Sequence, residues 1–332
     1  MKASGISWGI VVATLACGGF SARAFGNDSI AETALGGLTF AKSDAISMDS
    51  EDLYVSRDHV RVRYRFTNTS DAPVDALVAF PLPEIPPGND GGEEEAVYWG
   101  DAQTDLEFHT SVDGQPLALQ LVEEASLNGR DVGARLRALG VPLNRFSKRF
   151  APALEALPKG ERDSLVAEKL IVNSGDAAHP AWEGLWSLRT TLTRRQSFPA
   201  QKTVVVEHDY KPLVGEAVGP SPQYPDAADF KRQRAKYCIE DAWLRDFERL
   251  LAKQNKNVNV SEIFLGYVLK TGANWKGPIK DFHLVVDKGR PDSLVSFCAD
   301  GVKKISPTQF EAHASNFTPT KDLDVLIVDW PR

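Results

Sequence analysis

Histidine, cysteine and carboxylate side chains carry much of protein chemistry near neutral pH, so their spacing is the first thing to read. The six histidines are His59, His109, His179, His208, His283 and His313. None lies four residues from another, and neither H-E-x-x-H nor C-x-x-C occurs, so the chain spells out no recognisable zinc site. His208 and His283 sit beside acids in strand-like runs, which suits hydrogen-bonded or solvated strand histidines, although a distant pair could still meet in space. After residue 24 there is no G-x-S-x-G elbow for a serine nucleophile. Neither G-x-x-x-x-G-K-[ST] nor G-x-G-x-x-G is present to cradle a phosphate. The acidic run 89–95 (NDGGEEE) has oxygens enough for calcium but not the alternating spacing of a calcium loop, so a solvated loop is expected. No metal and no cofactor are expected.

Three other groups remain. Arg61, Arg63 and Arg65 alternate with Val60, Val62, Tyr64 and Phe66, which puts three guanidinium groups on one face of a strand. That face could grip an anionic partner or pair with acids on neighbouring strands. The run 272–279 (GANWKGPI) sets Trp275 between glycines, with Asn274 and Lys276 beside it. Exposed, the indole is a platform for a sugar or peptide; buried, it packs over a sheet end, and both readings stay open. Finally, Cys238 and Cys298 are the cysteines left once a leader is removed, and in an oxidising compartment they form one structural disulfide.

The leader is residues 1–24. Lys2 supplies a positive start, residues 10–16 (IVVATLA) an apolar stretch, and Ala22-Arg23-Ala24 the small-x-small pattern of a cleavage site. The stretch is far shorter than the ~20 residues of a membrane span. Cleavage near Ala24 implies a periplasmic or secreted protein; an uncleaved anchor, or a lipid on Cys17, fits the flanking residues less well. Removing the leader takes away Lys2 and Arg23 and no acid, so the net charge goes from −7 to −9. An acid surplus of that size disfavours nucleic acid as a partner.

The elements that must position these groups follow from the periodicity. Residues 59–67 alternate strictly, a turn cluster fills 68–73, and 74–80 alternate again, which reads as a hairpin ending at Pro81. Residues 105–112 and 116–122 read as a second hairpin around Asp113-Gly114. From 126 to 169 the period becomes helical, with Val132, Leu136 and Leu139 and then Phe146, Phe150, Leu154 and Leu157 in step. Strand chemistry returns at 187–197 and 203–210 around a Phe198-Pro199-Ala200 corner. A proline-rich linker occupies 219–225. One long helix is expected over 226–253, on Trp243, Phe247, Leu250 and Leu251. Strands are then expected at 262–269, 281–286, 294–298 and 323–328.

Four runs carry a resemblance. They are Asp44-Ala45-Ile46 with Met48, Ser50 and Asp52-Leu53; Phe80-Pro81-Leu82-Pro83; Phe198-Pro199-Ala200 with His208 and Tyr210-Lys211-Pro212; and Thr271-Gly272-Ala273-Asn274-Trp275 with Gly277-Pro278-Ile279. In this order the chain resembles the bacterial secreted family called domain of unknown function 4424, over roughly residues 27–329. The resemblance implies a secreted or periplasmic protein and brings no reaction, catalytic residue or ligand. Separately, the stretch from Asn68 to Pro83 resembles the opening of β-sandwich interaction domains of the inter-alpha-trypsin type.

The expected fold is a β-dominated α+β chain. It has a sandwich-like β body from segments 25–125 and 187–332, a helical insertion at 126–186, and one long helix packed on a sheet. The expected function is a non-catalytic binding or structural module of the cell envelope, taking a partner protein or glycan, with no transmembrane span in the mature chain. The alternative is an extracytoplasmic hydrolase with a dispersed carboxylate site, a chemistry that leaves no short motif.

Overall fold

The computed structural model describes residues 27–34, 37–87, 106–176, 179–218, 228–254 and 258–331. The leader, the acidic run 89–95 and the linker 219–225 lie outside the described residues. The described residues are β-dominated, 45% of them in strands and 18% in helices. Among the described residues no helix is long and apolar enough to cross a membrane.

One large sheet has the order β18(Lys303–Lys304)-β19(Gln309–Phe317)-β16(Ile279–Asp287)-β3(Ile46–Ser56)-β4(Val60–Asn68)-β13(Thr203–Tyr210)-β6(His109–Val112)-β7(Gln115–Pro116). A second has the order β2(Gly37–Ala41)-β1(Ser29–Ala34)-β5(Val74–Pro81)-β12(Ser187–Phe198)-β8(Gln120–Leu127)-β9(Arg130–Asp131). A third is β14(Gly215–Val218)-β15(Ser261–Tyr267)-β20(Leu323–Asp329)-β17(Leu294–Phe297). A short ladder of β10(Ile171–Asn173) and β11(Trp182–Gly184) closes the insertion.

β4 shows why the large sheet has two unlike faces. Val60, Val62, Tyr64 and Phe66 are buried, while Arg61, Arg63 and Arg65 between them are exposed. The buried set joins Val78, Phe80 and Leu192 of the second sheet and Ile263, Leu265, Val325 and Ile327 of the third in one core. The body is therefore sandwich-like, with the large sheet on one side and the two smaller sheets on the other. Burying each such side chain contributes about 1.5–3 kcal/mol. Both β segments build it together: β3 from the first runs parallel to β16 from the second, and β5 pairs antiparallel with β12.

The expected hairpin of residues 59–80 is a corner instead. β4 pairs with β3 and β13 in the large sheet, whereas β5 pairs with β1 and β12 in the second. The turn at 68–73 lifts the chain from one sheet to the other, and the Phe198-Pro199-Ala200 corner does the same between β12 and β13. The two corners hold each other: Asn68 Nδ2 donates to Phe198 O at 2.9 Å, and Asn68 N to Lys202 O at 3.0 Å. Alternation reports burial on one face but not which strand lies alongside. Likewise Asp113-Gly114 does turn a hairpin, but a two-residue return arm is all that forms, and β8 begins at Gln120 in the other sheet.

The insertion carries α1(Gly133–Ala138), α2(Phe150–Ala156) and α3(Lys159–Ala167) around a satellite core that includes Leu136, Phe150, Leu154, Leu165 and Trp186. The long helix expected over 226–253 is broken. α4(Ala228–Lys236) and α5(Asp241–Lys253) are separated by a turn in which Cys238 adopts φ 53°, a left-handed conformation that ends a helix. Phe230, Tyr237 and Phe247 from this pair cover Phe264, Leu326 and Val328 of the third sheet. Cys238 is bonded to Cys298, just beyond β17, so the disulfide ties the interhelical turn to the sheet the helices cover. Replacing both cysteines by serine should lower the melting temperature, since a cross-link of 60-residue separation stabilises by roughly 4 kcal/mol in the chain-entropy description. Identical melting curves for the oxidised protein and the double variant would contradict this.

Candidate functional site

The loop holding Trp275 has a task inside the molecule. The 3-10 turn Lys270–Asn274 and the residues after it clasp the first described residues, Asn27, Asp28 and Ser29, all fully buried. Thr271 Oγ1 donates to Asn27 O at 2.9 Å, Trp275 Nε1 to Asp28 O at 2.8 Å, and Asn274 Nδ2 to Ser29 Oγ at 2.9 Å. The indole is 3% exposed and leans on Phe66 with ring centroids 4.4 Å apart. Trp275 is thus no surface platform; its packing reading holds, because the indole N–H finds its acceptor in the buried segment. Lys276 does reach the surface, where Nζ donates to Thr69 Oγ1. Gly272 lets the segment approach: a Cβ there would lie 2.8 Å from Asn27 Nδ2.

What is clasped is charged. Arg194, on the core side of β12, makes a two-pronged ion pair with Asp28, at 2.9 Å from Nη1 and 2.6 Å from Nη2. His208 on β13 places Nε2 3.2 Å from Asp28 Oδ1, close enough for charge attraction but off the line of a hydrogen bond. Its other nitrogen meets Thr110 Oγ1 at 2.9 Å. Next to these, Asn27 Nδ2 and Tyr267 OH donate to Glu51, and Tyr267 OH lies 2.7 Å from Tyr64 OH. Burial works to raise the Asp28 carboxyl, but Arg194 and His208 outweigh it and hold Asp28 well below the usual carboxylate range. Glu51 has no cation beside it, so burial, with Asp28 adding repulsion, pushes it up to about 8 despite the Asn27 and Tyr267 hydrogen bonds. Burial also depresses His208. At neutral pH the cluster holds the Asp28–Arg194 ion pair beside a protonated Glu51. All of it is sealed, so it organises the fold rather than meeting a ligand.

The arginine row lies open to solvent. Arg63 Nε pairs with Glu207 Oε1 at 3.2 Å, and Arg61 sits over the Tyr54 ring. The row continues across the sheet in register as Glu207, Arg63, Asp52, His283 and His313. Its far end brings two histidines 30 residues apart in sequence into a stack 4.1 Å between centroids, with Glu311 alongside. Sequence reading noted His283 but left β19 unread, although Phe310, Ala312 and Ala314 alternate there with Glu311 and His313.

An opening of ligand size lies on the outer face of the second sheet, a groove of about 800 Å³ within the range of small-ligand sites. Arg189 and Arg195 of β12 and Arg137 of α1 line it with Glu123 and Glu124 of β8 and Asp131. No aromatic residue is among its described lining residues. Glu124 accepts from Leu38 N at 3.1 Å and lies 3.8 Å from Arg189 Nη2. Arg137 donates to the Glu123 backbone carbonyl. Arg195 is exposed and makes no ion pair with any described residue.

Comparison with known proteins gives a family and a distant structural similarity. The family described as "Domain of unknown function (DUF4424)" matches residues 26–326. Among solved structures, the chain is similar to a Legionella pneumophila protein described as a "putative nutrient binding protein", at 15% identity and a TM-score of 0.43. The alignment covers 92% of this chain and 71% of that one. No curated protein sequence matches.

Two outcomes test the buried cluster. Arg194→Met strands the Asp28 charge and should destabilise the protein by about 3–5 kcal/mol in chemical denaturation; a variant as stable as the parent would refute the role given to the pair. Glu51, raised in the folded state, favours folding fully below its ordinary value of 4.5, and that contribution is lost as pH rises to about 8. Stability measured between pH 5 and 8.5 should therefore fall more steeply for the parent than for Glu51→Gln. Parallel pH profiles would mean that Glu51 titrates normally.

Proposed function

Because the chain belongs to the domain of unknown function 4424 family, and that membership assigns no reaction, we propose that it is a non-catalytic binding module taking an anionic group in the groove of the second sheet. The observation that carries this reading is an exposed guanidinium, Arg195, that no described residue pairs, on the wall of a ligand-sized groove in a chain of net charge −7. Arg194 is committed to Asp28 and Arg189 to Glu124, which leaves Arg195 at the sheet surface to meet a carboxylate or phosphate oxygen in the two-pronged geometry of guanidinium. Glu124 is engaged by a backbone N–H and an arginine, an arrangement that balances charge rather than supplying an acid or base. The hydrolase alternative draws no support from it.

The reading places the protein outside the cytoplasm, as a periplasmic or secreted component of the cell envelope released by cleavage near Ala24. The small-x-small pattern of the leader and the cross-link between Cys238 and Cys298 support that compartment. A partner protein or a glycan with acidic groups matches the groove chemistry.

The test is a thermal-shift panel of inorganic phosphate, citrate, a sulfated oligosaccharide, an acidic peptide and neutral hexoses. At least one anionic probe should raise the melting temperature, with the rise lost in Arg195→Ala, while neutral hexoses do nothing. Shifts that survive the substitution would move the site elsewhere. Turnover of a glycan, peptide or ester by the purified protein would end the non-catalytic reading.

A further inference from the structure

The open face of the large sheet holds a donor set that the groove does not explain. His283 on β16 and His313 on β19 are directly paired across the ladder, and their rings stack at 12°. Glu311, two residues before His313, projects from the same face. Its Oε2 is 3.8 Å from His283 Nε2 and 3.6 Å from His313 Nε2. Both separations exceed the ~3.2 Å limit of a normal N–H···O hydrogen bond, so no proton bridges these atoms in a good geometry. On the other side of His283, Nδ1 lies 3.0 Å from Asp52 Oδ1. A carboxylate only accepts, so Nδ1 carries the proton, and in the neutral ring Nε2 is a bare lone pair. That nitrogen is buried and has no hydrogen-bond partner. A lone pair facing a carboxylate oxygen is a repulsive arrangement unless a cation sits between them.

We propose that His283, His313 and Glu311 form a binding site for a divalent transition-metal ion of the zinc type, with Asp52 orienting His283. One ligand atom from each of the three lies within 4.8 Å of the others. A tetrahedral ion with bonds of about 2.0–2.1 Å holds its ligands roughly 3.3 Å apart, so small side-chain rotations close the set. Two imidazoles and one carboxylate suit zinc or copper, whereas calcium and magnesium want oxygen donors throughout. The fourth position faces water, since His313 is 57% exposed. The nearest positive charge in register is Lys303 opposite Glu311, on the outermost strand. Arg63, beyond Asp52, is paired with Glu207. The ion would fasten β19 to β16 while keeping an open coordination position on the surface.

The test is calorimetric titration of zinc alone into tag-free, chelator-treated protein. Binding should be one to one, undetectable in His313→Ala and Glu311→Gln, weakened by more than about tenfold in Asp52→Asn, and unchanged in His179→Ala. Calcium should not bind. The proposal is overturned if folded protein takes up no zinc, if His313→Ala binds as the parent does, or if His179→Ala weakens binding equally, which would mark scattered surface histidines. None of these variants touches the groove, so this result and the anion panel stand or fall separately.

Discussion

The pairing of Asp28 with Arg194 is the interaction on which the rest of this body is arranged. Two opposite charges removed from water are tolerable only when each satisfies the other in close geometry, and here the two-pronged contact does so 166 residues apart in sequence. Around it converge the start of the described chain, β12 of the second sheet, β13 of the large sheet and the turn before β16. Hydrophobic burial supplies most of the driving force, but it is indifferent to which strand goes where. A buried guanidinium is not indifferent, because few other placements offer it a carboxylate. Asp28 at the head of β1 thus fixes how the two layers meet.

Much of the architecture could be read from the residues alone, for reasons visible in single elements. β4 alternates strictly because one face meets the core and the other water, so its existence and its inward residues follow from pattern. The insertion changes period, and Cys238 and Cys298 form the one disulfide that their number suggested. What pattern could not deliver was partnership. Residues 59–80 look like a hairpin whether their turn joins neighbours in one sheet or crosses between sheets. The break between α4 and α5 was hidden because Tyr237 and Ile239 are apolar and buried, continuing an apparent stripe through a turn.

The chemistry was less legible than the fold. Trp275, Asn274 and His208 stood out in short runs, yet they cluster around Asn27 and Asp28, a location no local spacing encodes. Glu51 lay unnoticed between Ser50 and Asp52, although burial with no cation beside it raises its carboxyl to about 8. The groove arginines alternate with apolar residues as any half-exposed strand does. Arg189 and Arg195 differ from Arg194 only in which face of β12 they occupy, and that is settled by the register with β5 and β8.

The parallel contact between β3 and β16 has a bearing on how the chain reaches this state. Tyr54 and Asp287, joined by a hydrogen bond across that contact, are 233 residues apart. Local hairpin formation can supply β3 with one neighbour, β4, soon after it is made. Its other edge, along the seven residues 50–56, stays without a partner until β16 has been synthesised. Closing so long a loop is slow, and an open strand edge is a template for joining other chains. The hazardous period for this molecule is therefore its youth. Until β16 arrives, what protects the molecule is cover over the β3 edge rather than the stability of the finished form.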